Sequence, residues 1–188
     1  MCCAGCGALN ALPPSMFTYF ELFGIEQTYD VDPDELRRKY LDLSRSIHPD
    51  VAGRNSDQER KQALALSSGL NRAYDTLRNP VSRAEYLLQF AGGPSPADDK
   101  TVPGEMLAEV MMLREEIDEA ARASDAAALK SIKADVTSRH DEALARITAI
   151  CHGAGLADPA AQKELRQQLN AIKYWNNLLD QIPTPVET

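Results

Sequence analysis

Apolar residues recur along this chain at spacings of three and four, the period of an α-helix, and no stretch alternates as a β-strand does. Asp32-Pro33 marks one helix start, because an aspartate can cap a helix and a proline suits its first turn. The apolar positions that follow share one face: Leu36, Tyr40, Leu43 and Ile47. Pro49 predicts that this helix ends near Ile47, since the residue before a proline avoids the α region.

The same period predicts a chain that is helical almost throughout. Six further helices are predicted: one ending at Gly24, one from the Ser56 capping box to Asn79, and others over 81–90, 104–122, 125–151 and from Pro159 onward. The last three are joined by short connections, which suits an antiparallel bundle.

Residues 92–104 form the clearest boundary in the chain. They hold three prolines and three glycines and have no apolar face, the composition of a connecting segment. Two helical blocks are therefore predicted. The core stripe expected in the first helix after the boundary is Met106, Val110, Leu113 and Ile117. The stripe expected in the last helix is Leu165, Leu169, Ile172 and Leu179.

The composition argues against several classes of protein. Hydrophobic residues make up 44% and charged residues 26%, as in ordinary globular proteins, and a net charge of −8 argues against general nucleic-acid binding. No apolar run reaches the length of a membrane span, and the N-terminus does not resemble a secretory signal. Three of the four cysteines crowd the first six residues, which favours a reducing compartment over a disulfide framework. We expect a monomer in the bacterial cytoplasm, with no nucleic-acid or membrane partner.

A basic surface is predicted on the helix that follows Asp32. Arg37, Arg38 and Arg45 fall off its apolar face. Residues 37–45 hold four basic side chains against one acidic side chain, a local charge of +3 in an acidic protein. Such a surface is either a solvated helix face or a contact for an acidic partner.

His48-Pro49-Asp50, directly after this helix, admits several interpretations. A metal site needs three or four converging ligands, yet the other histidines, His140 and His152, lie in the second block. Acid–base catalysis would need a nucleophile or a substrate motif, and none of the familiar ones occurs. A solvated turn, or a docking corner stiffened by the proline, accounts for the tripeptide without either.

The setting of this tripeptide resembles a J-domain, the co-chaperone module that acts on ATP-driven chaperones of the seventy-kilodalton heat-shock class. The resemblance rests on Tyr19-Phe20-Glu21-Leu22-Phe23-Gly24, Asp32-Pro33-x-x-Leu36, Tyr40-x-x-Leu43, His48-Pro49-Asp50 and Asn71-x-Ala73-Tyr74-x-x-Leu77. It implies that the tripeptide docks on the chaperone and promotes ATP hydrolysis there. The chaperone-binding residues so implied are His48, Pro49, Asp50, Arg37, Arg38 and Arg45.

The rest of the chain resembles the HscB family, the J-type co-chaperones of iron–sulfur cluster biogenesis. The resemblance is carried by LRNPVSRAEYLL (77–88), by MMLREEIDE (111–119) and by Tyr174-Trp175. It implies an all-α, L-shaped molecule with no active site of its own. Its implied parts are a cysteine-containing tail (1–16), a J-domain (17–91), a linker (92–103), a three-helix scaffold-binding bundle (104–182) and a C-terminal tail (183–188).

Two partners follow from this resemblance, an HscA-type chaperone and an IscU-type iron–sulfur scaffold protein. The scaffold-binding residues implied for this chain are Leu107, Ala108, Met111, Met112, Glu115 and Tyr174. The sequence adds its own support, because helix 104–122 has more apolar residues than one core stripe needs, and methionine adapts to irregular partners. Met112 stands where relatives have an acid, and Ala108 is smaller than the residue usual there.

Cys3-Ala4-Gly5-Cys6 leaves the N-terminus open to two interpretations. Some HscB relatives carry two Cys-x-x-Cys pairs before the J-domain and bind zinc there, whereas only one pair is present here. Cys3 and Cys6 are therefore candidate zinc ligands, against a metal-free tail, and no other cofactor is expected. The alternatives to an HscB function are a J-domain co-chaperone for another client, a small hydrolase using His48 and Asp50, and a metal-binding or redox protein built on the cysteines.

Overall fold

The computed structural model describes residues 18–47, 57–153 and 156–183. These ranges contain seven α-helices and no strand: α1 (Tyr19–Phe23), α2 (Pro33–Ile47), α3 (Asp57–Arg78), α4 (Pro80–Phe90), α5 (Met106–Arg122), α6 (Ala126–His152) and α7 (Pro159–Gln181). The all-helical prediction is confirmed. The chain forms two compact units, with the division between Arg83 and Ala84. Within the described ranges no helix combines the length and hydropathy needed to cross a bilayer.

Helix α1 is short because both of its ends are capped within a few residues. The Thr18 hydroxyl accepts from the Glu21 N–H, and the Glu21 carboxylate accepts from the Thr18 N–H, a complete capping box. At the other end Gly24 has a φ of +58°, which only glycine adopts easily, and the Ile25 N–H closes the turn onto the Phe20 carbonyl. Phe20 is buried in the core of the first unit.

Helices α2 and α3 form the antiparallel hairpin of the first unit. The Asp32 carboxylate accepts from the N–H groups of Asp34 and Glu35, so α2 starts at Pro33 as predicted, and it ends at Ile47. On the predicted face of α2, Leu36 and Ile47 are buried while Tyr40 and Leu43 are partly buried. The facing residues that α3 buries are Ala63, Leu70, Ala73 and Leu77. The Ser56 capping box lies outside the described residues.

Helix α4 begins one residue earlier than predicted. The Asn79 side chain accepts from the N–H groups of Val81 and Ser82, which caps the helix with Pro80 in its first turn. From Ala84 onward the helix belongs to the second unit, where Ala84 and Leu88 are fully buried.

Helices α5, α6 and α7 form the predicted bundle of the second unit. The whole stripe predicted for α5 is buried. In α7, Leu165, Leu169 and Ile172 are buried as predicted, but Leu179 is only partly buried and Leu178 takes its place in the core. Towards its C-terminal end the buried face of α7 advances in three-residue steps, from Ile172 to Trp175 and Leu178, and so turns away from Leu179.

Residues 91–101, which include most of the segment predicted as a linker, are hydrogen-bonded to α7 at several points. Gln162 donates to the Ala91 carbonyl at 3.2 Å, and Arg166 Nε donates to the Pro94 carbonyl at 3.0 Å. The Asn170 amide donates to the carbonyls of Asp99 and Thr101 at 3.0 and 2.9 Å. These residues therefore form an ordered part of the second unit.

Two small turns shape the middle of this segment. The Ser95 hydroxyl donates to Asp98, and the Thr101 hydroxyl donates to Asp99, both at 2.6 Å. These hydrogen bonds favour the carboxylate form and lower the pKa of both aspartates. Because the folded pKa lies below the ordinary value, the turns are fully stabilised above that value and weaken as the pH falls through the lowered pKa.

Arg166 is the charged side chain at the centre of these contacts. It is 1% exposed, and its guanidinium donates to both carboxylate oxygens of Glu85, one bond measuring 2.9 Å, besides the Pro94 carbonyl. Asn170 Oδ1 accepts a further bond at 3.5 Å. A buried charge is tolerated only when it is paired and its donors are satisfied, and here one guanidinium joins α4, residue 94 and α7.

Replacing Glu85 with alanine is expected to lower the free energy of unfolding by about 3 kcal/mol, because it leaves the buried Arg166 guanidinium without its counter-ion. Denaturant unfolding monitored by circular dichroism measures the loss. Glu164→Ala is the matched control: Glu164 pairs with Arg146 between exposed side chains, so its removal should cost under about 1 kcal/mol. Equal, small losses in both variants would contradict the buried role of Arg166.

Candidate functional site

The basic surface predicted on α2 is present, and Arg37, Arg38 and Arg45 are all exposed. Arg45 lies 3.5 Å from Asp42, an exposed pair that contributes little. Lys39 does not add to this surface, because its ammonium donates to the Gly24 carbonyl at 2.6 Å and lies 2.9 Å from Glu35. Three of the four basic side chains counted in the sequence therefore remain available to a partner.

The residues of α2 and α3 that carry the resemblance to a J-domain hold these two helices together. The Tyr40 hydroxyl donates to Asn71 Oδ1 at 2.9 Å, and the Tyr40 ring stacks on Tyr74 with 4.2 Å between centroids. The Arg78 guanidinium lies 5.6 Å from the centroid of the Tyr74 ring, within cation–π range. These residues thus fix how α2 lies on α3, and with it the direction in which α2 ends at Ile47.

His48, Pro49 and Asp50 lie outside the described residues, as do Cys3 and Cys6. The structure describes the support on the N-terminal side of the tripeptide: α2 runs up to Ile47, which is buried. Among the described residues no group of three or more His, Cys, Asp or Glu side chains is placed to hold a metal ion. His140 Nδ1 lies 3.1 Å from Asp141 Oδ1. Cys151 is partly buried near the end of α6.

Helix α5 carries the predicted apolar surface. Leu107, Met111 and Met112 are 50%, 72% and 64% exposed, although the opposite side of the same helix is fully buried. Ala108 and Glu115 are exposed beside them, and Tyr174 on α7 is partly buried. So much apolar area next to a carboxylate is typical of a surface that binds another protein.

These residues form two adjacent rows along α5. Leu107, Met111 and Glu115 follow one another at intervals of four, and so do Ala108 and Met112. The second row borders a groove of about 720 Å³ between α5 and α6, whereas Leu107 and Met111 do not line it. The row formed by Leu107, Met111 and Glu115 is called the α5 ridge. The predicted scaffold site thus consists of this exposed ridge and the open groove along one side of it.

The groove has an apolar floor and charged walls. Its floor includes Trp175 and Ala171 of α7 and Ala143 of α6. The carboxylates on its walls are Glu105, Glu109, Glu116, Asp135 and Glu142. The Arg139 guanidinium contacts Glu109 and Asp135 and lies 5.9 Å from the centroid of the Trp175 ring.

Trp175, and not Tyr174, is the aromatic side chain that reaches this groove. Tyr174 does not line the groove and stays a predicted scaffold-binding residue, whereas Trp175 is a groove residue that was not among those predicted. A signal for Trp175 was available, since it lies three residues after Ile172 on the buried face of α7.

Comparison with known proteins agrees with both units. The family model described as DnaJ domain matches residues 18–86, and the model described as HSCB C-terminal oligomerisation domain matches residues 102–183. "Co-chaperone protein HscB" of Proteus mirabilis is 37% identical over 122 residues, which is 64% of this chain and 69% of the relative. The chain belongs to the HscB family.

Further members of the HscB family support this assignment. "Co-chaperone protein HscB homolog" of Neisseria meningitidis is 37% identical over 68% of this chain and 77% of the relative. Among solved structures, HscB from Vibrio cholerae has a TM-score of 0.72 at 28% identity, covering 88% of this chain and 95% of that one. Human HscB has a TM-score of 0.72 at 27% identity, covering 89% and 81%. This chain is therefore an HscB-type co-chaperone with a J-domain followed by the C-terminal domain of the family.

The contact between Tyr40 and Tyr74 is expected to contribute about 1 kcal/mol to the stability of this HscB-family chain beyond the burial of each ring. The measurement is a double-mutant cycle of Tyr40→Leu and Tyr74→Leu in denaturant unfolding. A second cycle, pairing Tyr74→Leu with Tyr174→Leu in the other unit, should show no coupling. Equal coupling in both cycles would rule out a specific stack.

Proposed function

We propose that this chain couples an IscU-type iron–sulfur scaffold protein to the ATPase of an HscA-type chaperone, in the bacterial cytoplasm. The observation that carries the proposal is the pairing of two surfaces in one chain. A J-domain presents a basic α2 that leads into His48-Pro49-Asp50, and a separate bundle presents the exposed ridge of α5. A protein that joins two partners needs one surface for each.

The J-domain would act on the chaperone without chemistry of its own. A proline fixes its φ and has no N–H, which is the chemical reason to assign the docking role to the sequence His48-Pro49-Asp50. The exposed α2 arginines favour approach to an acidic surface and set the orientation of docking more than they add affinity. The bonds that break and form are those of ATP in the chaperone, and this chain changes their rate by binding.

The bundle would hold the scaffold protein through the α5 ridge. Leu107 and Met111 supply exposed apolar area, and methionine can adapt to an irregular partner surface. Glu115 has no ion-pair partner in the part of the chain that the structure describes, so its carboxylate is available to a cation on the scaffold protein. Ala108 is too small to cover the groove, which leaves room for a side chain of the scaffold protein beside Met112.

Coupling would follow from the use of different residues for the two partners. In this proposal the chaperone contacts belong to the first unit and the scaffold contacts to the second, so neither partner needs residues that the other uses. Simultaneous binding raises the effective concentration of the scaffold protein near the chaperone. In the proposed function no cofactor bound to this chain is needed, and no metal is assigned to Cys3 and Cys6.

The double substitution Leu107→Ala and Met111→Ala is expected to weaken scaffold binding by about a hundredfold, since each truncation of a central apolar contact costs on the order of tenfold. Isothermal titration calorimetry with an IscU-type scaffold protein measures the change. ATPase stimulation without scaffold protein should not change. Leu64→Ala, which truncates an exposed leucine outside the bundle, is the control and should bind as the wild type does. Unchanged binding by the double variant would refute the assignment of the ridge.

His48→Gln is expected to abolish stimulation of the chaperone while leaving scaffold binding intact, because it alters the docking corner alone. The measurement is the steady-state ATPase rate of an HscA-type chaperone with and without this protein. His152→Gln, at an exposed histidine of the bundle, serves as the control. The proposed function fails if the wild type gives no stimulation, or if the variant stimulates equally.

A further inference from the structure

An exposed leucine interrupts the basic surface of α2. Leu41 lies four residues after Arg37 and four before Arg45, so the three side chains form one row along the helix. Leu41 is 41% exposed. In the described part of the first unit, one other large apolar side chain is exposed, Leu64 on α3 at 67%.

The core of the first unit does not account for Leu41. It lies five residues after the buried Leu36, which places it about 140° around the helix at 100° per residue. The buried face of α2 is already supplied by Leu36 and Ile47, with Tyr40 and Leu43 partly buried beside them. An apolar side chain on the charged side of an amphipathic helix is therefore available to a partner.

The charges around Leu41 define the chemistry of that partner. Arg37 and Arg38 form no ion pair within the described residues, and Arg45 reaches Asp42 only at 3.5 Å between exposed groups. Lys39 is directed towards Glu35 and the Gly24 carbonyl. The row is thus cation, leucine, cation. Its complement is an acidic surface with an apolar depression at its centre.

We propose that Leu41 is an apolar anchor through which α2 docks on an acidic face of the ATP-driven chaperone. The inference rests on the proposed function, which supplies the chaperone as the partner. Leu41 lies about 9 Å along the helix axis from Ile47, at 1.5 Å per residue. An anchor at that distance would hold the end of α2 against the chaperone.

A leucine and an arginine contribute to docking in physically different ways. Contacts between exposed charges guide the encounter and fade as salt shortens the screening length. Apolar burial does not depend on charge screening, and moderate salt leaves it nearly unchanged. The two contributions can therefore be separated by measuring the same variants at two salt concentrations.

The experiment is a titration of chaperone ATPase with the full chain at about 50 mM and about 300 mM salt. Each titration gives a half-saturating concentration and a maximal rate. Leu41→Gln should raise the half-saturating concentration about tenfold at both salt concentrations and leave the maximal rate unchanged. Arg37→Gln should have a large effect at low salt and a small one at high salt. Leu41→Met, which keeps an apolar side chain of similar volume, should behave as the wild type.

Leu64→Gln is the matched control, because it makes the same change at a more exposed leucine of the same unit and should have no effect. Leu41→Lys tests the alternative that charge alone drives docking. If charge alone drives docking, the added cation of Leu41→Lys should tighten binding to the chaperone. If Leu41 is an apolar anchor, Leu41→Lys should bind more weakly than the wild type at high salt. Thermal unfolding of each variant shows whether the fold is intact, and Leu41→Lys replaces Leu41→Gln if the latter is unfolded.

Three outcomes would overturn the inference: Leu41→Gln titrating as the wild type, Leu64→Gln being equally impaired, or the effect of Leu41→Gln disappearing at high salt. Failure of the proposed function gives a different result. In that case the wild type does not stimulate the chaperone at all, or His48→Gln stimulates as well as the wild type does.

Discussion

The buried guanidinium of Arg166 is the interaction on which the second unit depends. A charge at 1% exposure must be neutralised and its donors satisfied, and Glu85, the Pro94 carbonyl and Asn170 together do this. The requirement brings α4, the segment after it and α7 to one point. Since Asn170 also donates to the carbonyls of Asp99 and Thr101, the order extends along a segment that has no apolar face of its own.

A second constraint explains where the interaction surfaces lie. An amphipathic helix buries one face, and what remains on the other face is available to partners. The exposed face of α2 carries arginines on either side of Leu41, and the exposed face of α5 carries the ridge that includes Leu107 and Met111 beside the groove. The first is basic and suits an acidic partner, while the second is mostly apolar. The exposed faces of α2 and α5 therefore favour different partners, as a co-chaperone that connects a client with a chaperone requires.

The sequence predicted most of the fold because the information it needed was local. The caps at Asp32, Asn79 and Asp158 lie within three residues of the N–H groups they bind, so the predicted starts of α2 and α7 are confirmed and that of α4 differs by one residue. The exposed residues of α5 were predicted for the same reason, since a 3.6-residue period decides which side chains share a face. A seven-residue repeat was extended to Leu179, but the buried face of α7 continues from Ile172 through Trp175 to Leu178 instead.

Local spacing determined the helices, their buried faces and the motifs that identify a J-domain and an HscB-type bundle. Tertiary structure alone decided the rest: that Lys39 turns to the Gly24 carbonyl, that Arg166 pairs with Glu85, and that Trp175 forms the floor of a groove beside Met112. These contacts join residues 15, 81 and some 60 positions apart. The period of a helix relates a side chain only to neighbours within a few turns, so a contact between distant segments is decided when the helices pack.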